Sequence, residues 1–300
     1  MIAPRRAYSV PLPNRAALQL GARTLVMGIL NITPDSFADG GRHLDPEEAA
    51  DAAMRLAADG ADIIDVGGES TRPGAEPVPA DEERRRVLPV IERLASRIAV
   101  PISIDTYKAV VGKDALAAGA SIVNDISGLL YEPELGRVAA DAGAALVLMH
   151  TRGRSKGMYG LAEYDDTSSD VARELTGAIG RAVNAGVPRE SLILDPGLGF
   201  AKRAEHSFEV LAHLETIAAL DRPLLVGASR KSFLKAALGD RPPAEREWGS
   251  AAAVTAAVLQ GAHIVRVHAV RDMVDVVRVA DRVRAARAST DLAVRSDRGE

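Results

Sequence analysis

The sequence predicts an α/β fold, a single-domain (β/α)8 TIM barrel. Three observations predict it. Short apolar runs of strand type recur eight times, a helical pattern follows each, and the runs are continuous rather than alternating, as in strands covered on both faces. Eight consecutive strand–helix units close most simply into a barrel. An open doubly wound dinucleotide sheet would carry Gly-x-Gly-x-x-Gly after its first strand, and Asn31-Ile32-Thr33-Pro34-Asp35 stands there instead. No phosphate loop of the Gly-x4-Gly-Lys-Ser/Thr type occurs either.

The strands are read at Thr24–Ile32, Ile63–Val66, Ile102–Ile104, Ile122–Val123, Ala145–Met149, Leu192–Leu194, Leu224–Val226 and Ile264–Val267. In the first helix Asp45 is the N-cap, Pro46 takes the first turn with Glu47 and Glu48, and Gly60 marks the stop. Ala49, Ala53, Leu56 and Ala57 keep helical spacing between them. Further helices are expected over Asp81–Arg97, Tyr107–Ala118, Pro133–Ala142, Asp170–Ala185, His206–Ala219, Gly249–Gln260 and Asp272–Ala286. Residues 1–23 read as an N-terminal extension, 24–286 as the barrel and 287–300 as a flexible, solvated tail. The run Glu82-Glu83-Arg84-Arg85-Arg86 reads as an exposed helix face.

Composition narrows the function. Of 300 residues, 47% are hydrophobic and 26% charged, which excludes global disorder. The chain has no cysteine, so disulfide scaffolds, thiolate metal sites and cysteine nucleophiles are excluded. A net charge of −4 and a pI near 5.9 give no overall field for nucleic acid or an acidic membrane. Arg5 and Arg6 are followed by Pro11 and Pro13 rather than a signal-peptide run, so the cytoplasm is the expected compartment.

In a barrel the polar residues at the C-terminal strand ends face the site. Those ends carry Asn31, Asp65 to Arg72, Asp105, Asn124 with Asp125, His150, Asp195, Ser229 to Lys231, and Arg266 with His268. Asp105, Asn124 and Asp195 are short, rigid groups suited to a flat heterocycle with adjacent donors and acceptors. Each could equally cap a helix. Arg72, Arg230, Lys231, Arg266 and His268 form a cationic set for phosphate. Arg230 is as readily a solvated edge, whereas Arg266 lies within an apolar strand and needs a partner. His150 is as readily structural as functional, and His206, His213 and His263 read as surface or satisfied polar residues. No dense set of metal ligands is present.

Met27-Gly-Ile-Leu-Asn31-Ile-Thr-Pro-Asp35-Ser-Phe37-Ala-Asp-Gly-Gly41 resembles the opening signature of the dihydropteroate synthases. Asp65-Val-Gly-Gly-Glu69-Ser-Thr71-Arg72-Pro73-Gly74 is similar to their second signature. Ser103-Ile-Asp105-Thr106, Asn124-Asp125-Ile-Ser127-Gly128, Leu194-Asp195-Pro-Gly-Leu-Gly-Phe200-Ala-Lys202, Ser229-Arg-Lys231-Ser232-Phe233 and Arg266-Val-His268 follow in family order. The resemblance implies a cytoplasmic barrel enzyme of folate synthesis, a homodimer and a sulfonamide target. Its substrates would be 6-hydroxymethyl-7,8-dihydropterin pyrophosphate and p-aminobenzoate, and its metal Mg²⁺.

By position, the resemblance gives the pterin to Asp105, Asn124, Asp195 and Lys231, with Met149 and Phe200 beside it. Asp105, Asp195 and Lys231 would be catalytic. Asn31, Thr71, Arg266 and His268 would take the pyrophosphate, with Asn31 also holding Mg²⁺. Arg72, Pro73, Lys231 and Ser232 would shape the p-aminobenzoate pocket. Ala269 stands where the family usually has Asp, and Thr151 and Ser155 where Met and Pro are common. A non-catalytic pterin-binding paralogue and a folate:corrinoid methyltransferase are the alternatives. The cationic motifs argue against the second, which has no pyrophosphate to bind.

Overall fold

The eight apolar runs become eight parallel strands of one sheet. The computed structural model describes residues 5–33, 45–70 and 74–298, with side chains to residue 287. An antiparallel pair, β1 (Tyr8–Val10) and β2 (Leu18–Leu20), comes first. The barrel strands are β3 (Leu25–Asn31), β4 (Ile63–Gly67), β5 (Ile102–Asp105), β6 (Ile122–Asp125), β7 (Ala145–Met149), β8 (Leu192–Asp195), β9 (Leu225–Val226) and β10 (Ile264–Val267). They pair in the order β8-β7-β6-β5-β4-β3-β10-β9. A single bridge between Leu194 and Leu224 joins the two ends of that order and completes the circuit.

Helices α1 (Pro46–Ala58), α2 (Ala80–Ala95), α3 (Ala109–Ala118), α4 (Glu134–Asp141) and α5 (Thr167–Asn184) alternate with the strands. They are followed by α6 (Ala204–Ala212), α7 (Leu214–Ala218), α8 (Lys235–Leu238), α9 (Glu247–Leu259) and α10 (Val270–Arg298). Asp45 caps α1 by accepting from the Glu47 amide, and Gly60 follows the helix at φ +104°, a conformation glycine adopts without a Cβ clash. No described helix is long and apolar enough to cross a membrane.

Alternation along each strand divides the core. Val26, Ile64, Val66, Ile104, Val123, Leu146 and Val265 pack outward against the helices. Met27, Ile63, Ile122, Val147, Ile193, Leu225 and Ile264 fill the interior, where Val10, Leu12, Leu18 and Leu20 of the N-terminal pair pack against them. The stretch read only as an extension therefore plugs one end of the barrel. Arg5 fastens that plug: it donates to Thr24 Oγ1 and pairs with Asp281 of α10 at 3.0 Å, and Asp281 also accepts from the Thr24 amide.

Several expectations need correction. The helix expected from Tyr107 starts at Ala109, which leaves Tyr107 and Lys108 in the strand-to-helix loop. The helix expected over His206–Ala219 is two, broken at His213. The last helix, expected over Asp272–Ala286, runs from Val270 to Arg298. In the run read as an exposed face, Glu83 is buried and pairs with Lys108.

Candidate active site

Two residues beyond the apolar interior layer, the same inward faces turn polar. Asp65, Asp105, Asn124, Asp195 and Arg266 occupy the C-terminal ends of β4, β5, β6, β8 and β10. Parallel register sets Gly67 beside Asp105 and Asp105 beside Asn124. Arg266 lies at the centre: its Nε donates to Asp65 Oδ2 at 2.6 Å and its Nη2 to Asp105 Oδ2 at 2.7 Å. Asn124 Nδ2 donates to the same Asp65 oxygen at 3.1 Å. Here is the partner that an arginine in an apolar strand requires. Asp65 Oδ1 and Asp105 Oδ1 are buried without a protein partner, so acceptors stand ready for donors that the chain does not supply.

Burial raises the Asp105 carboxyl to about 7, against the opposing pull of Arg266. It raises Asp195 as well, with Lys231 opposing. Burial draws the Lys231 ammonium down to about 8, with Asp195 opposing. Lys231 Nζ donates to the Leu198 carbonyl at 2.7 Å and lies 4.7 Å from the Phe200 ring centre. Gly197 N donates to Asp195 Oδ1 at 2.7 Å. A Cβ placed on Gly227 would meet Lys231 Nζ, the Arg266 stem and Asp195 Oδ2 within 4.0 Å, so glycine keeps the space between these groups open.

The apolar wall of the mouth is a separate cluster of Tyr107, Ile126 and Met149, with Tyr131 and Phe200 packed against it. At the rim, Ser229 Oγ and His268 Nδ1 are 2.9 Å apart, which steadies the imidazole although residue 269 is alanine. Asn31 ends β3, with Oδ1 3.7 Å from the Cβ position of Gly67. Ser232 follows Lys231 and is exposed. Asn31, Asp105, Asn124, Met149, Asp195, Phe200, Lys231, Ser232, Arg266 and His268 thus all lie at the C-terminal strand ends or in the loops that follow them. Thr71, Arg72 and Pro73 lie outside the described residues, as do Pro34 to Gly41 of the first signature.

Three strand-end residues are not part of this group. Asp125 accepts from Ser127 N, Ser127 Oγ and Leu129 N, and so builds the loop. Arg230 pairs with Glu247 and is held by Ser250 and Arg246 at a left-handed φ of +59°. His150 points to Glu174 and Lys202. Other residues were missed or given no role. Asp65 was named at its strand end but given no role, although it lies two residues on from the inward Ile63. Glu69, Tyr107 and Lys108 form a knot at the base of the second signature: Glu69 accepts from Tyr107 OH, Lys108 Nζ and Val78 N. The loop ends there, and Gly74 N donates to Ser155 O at 3.2 Å beside a Lys156–Glu76 ion pair.

Residues 27–268 match the model of the pterin binding enzyme family. The dihydropteroate synthase of Bacillus subtilis is 46% identical over 266 residues, covering 89% of this chain and 90% of that one. The chain belongs to the dihydropteroate synthases. Dihydropteroate synthases are transferases of folate biosynthesis. Two solved dihydropteroate synthases share the barrel. That of Yersinia pestis, in a sulfonamide drug complex, superposes with a TM-score of 0.84 at 45% identity, over 89% of this chain and 97% of that one. That of Xanthomonas albilineans, in complex with 7,8-dihydropteroate, gives 0.81 at 40% identity, over 92% and 99%.

Proposed function

We propose that the residues at the barrel mouth join 6-hydroxymethyl-7,8-dihydropterin pyrophosphate to p-aminobenzoate, with roles divided as their chemistry divides. The observation that carries this reading is the make-up of the buried mouth: Asp65 Oδ1 and Asp105 Oδ1 stand ready for donors the chain does not supply, with the cations Arg266 and Lys231 directly beside the carboxylates. Asp105, Asn124 and Asp195, with Lys231, hold the flat pterin against Met149 and Phe200. Arg266 and His268 face the pyrophosphate, together with Asn31 and Thr71. Arg72, Pro73, Lys231 and Ser232 border the p-aminobenzoate.

The bond from the pterin methylene carbon to the pyrophosphate oxygen breaks, and its electron pair leaves with pyrophosphate. Asp105 and Asp195 stabilise the positive charge that develops on the pterin. The arylamine nitrogen then supplies the pair for the new C–N bond and releases a proton, so no covalent protein intermediate is required. Arg266 stays tied to Asp65 and Asp105 through Nε and Nη2 while Nη1 serves the pyrophosphate.

Mg²⁺ fits this donor set. Asn31 offers a hard amide oxygen, and the described residues contain no cluster of three His, Asp or Glu that would form a protein cage. Mg²⁺ bound through one side chain, phosphate oxygens and water suits such a site, where it would neutralise pyrophosphate charge.

Pyrophosphate release is measured with the pterin pyrophosphate and Mg²⁺, p-aminobenzoate present or withheld, and dihydropteroate is followed by mass. Product that depends on p-aminobenzoate supports the reading; pterin binding without release or product refutes it. A sulfonamide should compete with p-aminobenzoate. The reading also includes the cytoplasm and a homodimer. Trp248, Val279 and Val283, at 87%, 65% and 49% exposure on α9 and α10, are apolar surface of the kind a second subunit covers. Light scattering that finds only monomer at micromolar concentration refutes the dimer.

A further inference from the structure

We propose that Lys202, a side chain the reaction itself does not use, is the positioning residue for the pterin-holding turn. Resting on the roles proposed for Asp195 and Lys231, it acts by bolting the Gly197–Phe200 turn to the barrel from behind. Lys202 has only 1% exposure and is among the largest fully buried side chains. A lysine ammonium has three protons to place. Nζ lies 2.7 Å from His150 Nδ1 and 3.2 Å from each of the Gly197 and Phe200 carbonyls, so all three have a destination.

The chain continues outward. His150 Nε2 is 2.9 Å from Glu174 Oε2, and Arg152 pairs with Glu174 in turn. Burial holds His150 down to about 4, with Lys202 adding to the effect, so the imidazole is neutral and bears its proton on the Nε2 facing Glu174. Burial also pushes Glu174 upward, but the hydrogen bonds from His150 and Arg152 prevail and hold it down at about 2. Burial pulls the Lys202 ammonium well below its ordinary value, and the Asp195 carboxylate and, across the histidine, Glu174 oppose that pull.

The turn gripped by Nζ carries the pterin groups. Gly197 N fixes Asp195 Oδ1, and the Leu198 carbonyl receives Lys231 Nζ. Phe200 underlies Lys231. Clearance is small: Gly197 has φ +67°, and a Cβ there would strike the His150 carbonyl oxygen. A turn released from Lys202 would shift Asp195 and Lys231 together. Displacements near 1 Å in such groups cost on the order of a hundredfold in rate.

Lys202→Met keeps the apolar stem and deletes the donors. Lys202→Cys introduces the only thiol in the chain, since the sequence has no cysteine. It can be alkylated in denaturant and refolded, with 2-bromoethylamine to restore an ammonium or with 1-iodopropane as a donor-free control. In folded Lys202→Met, KM for the pterin pyrophosphate should rise at least about tenfold and kcat fall. The aminoethylated chain should recover both and the propylated chain neither. Wild-type kinetics in either folded donor-free chain overturn the proposal, as does an aminoethylated chain that folds yet behaves like Lys202→Met. If no donor-free chain folds, Lys202 is a stability element and the positioning role is withdrawn. Wild-type protein with no saturable pterin dependence would overturn the reading of the site instead.

Discussion

Replacing Asp105 with asparagine should make the protein more stable and less active, by amounts that depend on pH in a defined way. Burial lifts this carboxyl from the ordinary 3.8 to about 7. At about 1.4 kcal/mol per tenfold change in proton affinity, the ionised form costs the fold about 4 kcal/mol. Because the folded affinity is raised, the folded chain holds a proton between pH 3.8 and 7 that the unfolded chain has lost, and stability falls as pH rises through that window. Asparagine stands in for the protonated carboxyl. The variant should therefore exceed the wild type by about 2 kcal/mol at pH 5 and about 4 kcal/mol at pH 8. For a chain of this size that is a melting gap of about 4 °C growing to about 8 °C. Comparing the two chains at each pH cancels His150 and His263, whose contributions run the other way. Turnover should drop on the order of a hundred- to a thousandfold. A melting gap that does not widen from pH 5 to pH 8 would refute the desolvation argument, and unchanged turnover would remove Asp105 from the mechanism.

Three further predictions concern parts away from the reacting atoms. His263 accepts from Leu224 N and donates to the Arg6 carbonyl, and burial lowers it to about 4. His263→Phe should cost about 2 kcal/mol in urea denaturation at pH 7. That gap should narrow at pH 5, because the wild-type contribution is complete above pH 6.5 and is lost as pH falls towards 4. Asp281→Ala strands Arg5, a side chain only 4% exposed, and should lower stability by about 3 kcal/mol with kcat unchanged. Glu69→Gln loosens the base of the second-signature loop, and steady-state kinetics should show KM for p-aminobenzoate rising about fivefold with KM for the pterin unmoved.

The barrel was legible because its signals are local. Ile63–Val66 and Ala145–Met149 read as doubly covered strands without reference to anything distant, and Asp45 and Gly60 punctuate α1 within a few residues. The site was legible where a residue stands at a strand end, as Asp105, Asn124 and Asp195 do. What stayed hidden depends on pairs far apart in the chain. Arg266 meets Asp65 across 201 residues, and Lys202 meets His150 across 52. Glu83 looked solvated within its charged run because its partner Lys108 lies on the next loop. Tyr107 and Lys108 were drawn into α3 by propensity, whereas Glu69 holds both back at the mouth. The plug was missed because strands of three residues carry too little pattern to be read.

The fastening of the plug bears on the order in which the molecule assembles. Val10, Leu12, Leu18 and Leu20 leave the ribosome about 250 residues ahead of Ile264, yet the interior they seal is lined by Ile264, and Asp281 clamps Arg5. Both ends of the circuit must exist before these apolar residues have a permanent berth. During synthesis those side chains remain unburied until nearly the whole barrel has been made. Nascent chains halted before β10 should therefore be the ones that chaperones hold, and release should coincide with the arrival of α10.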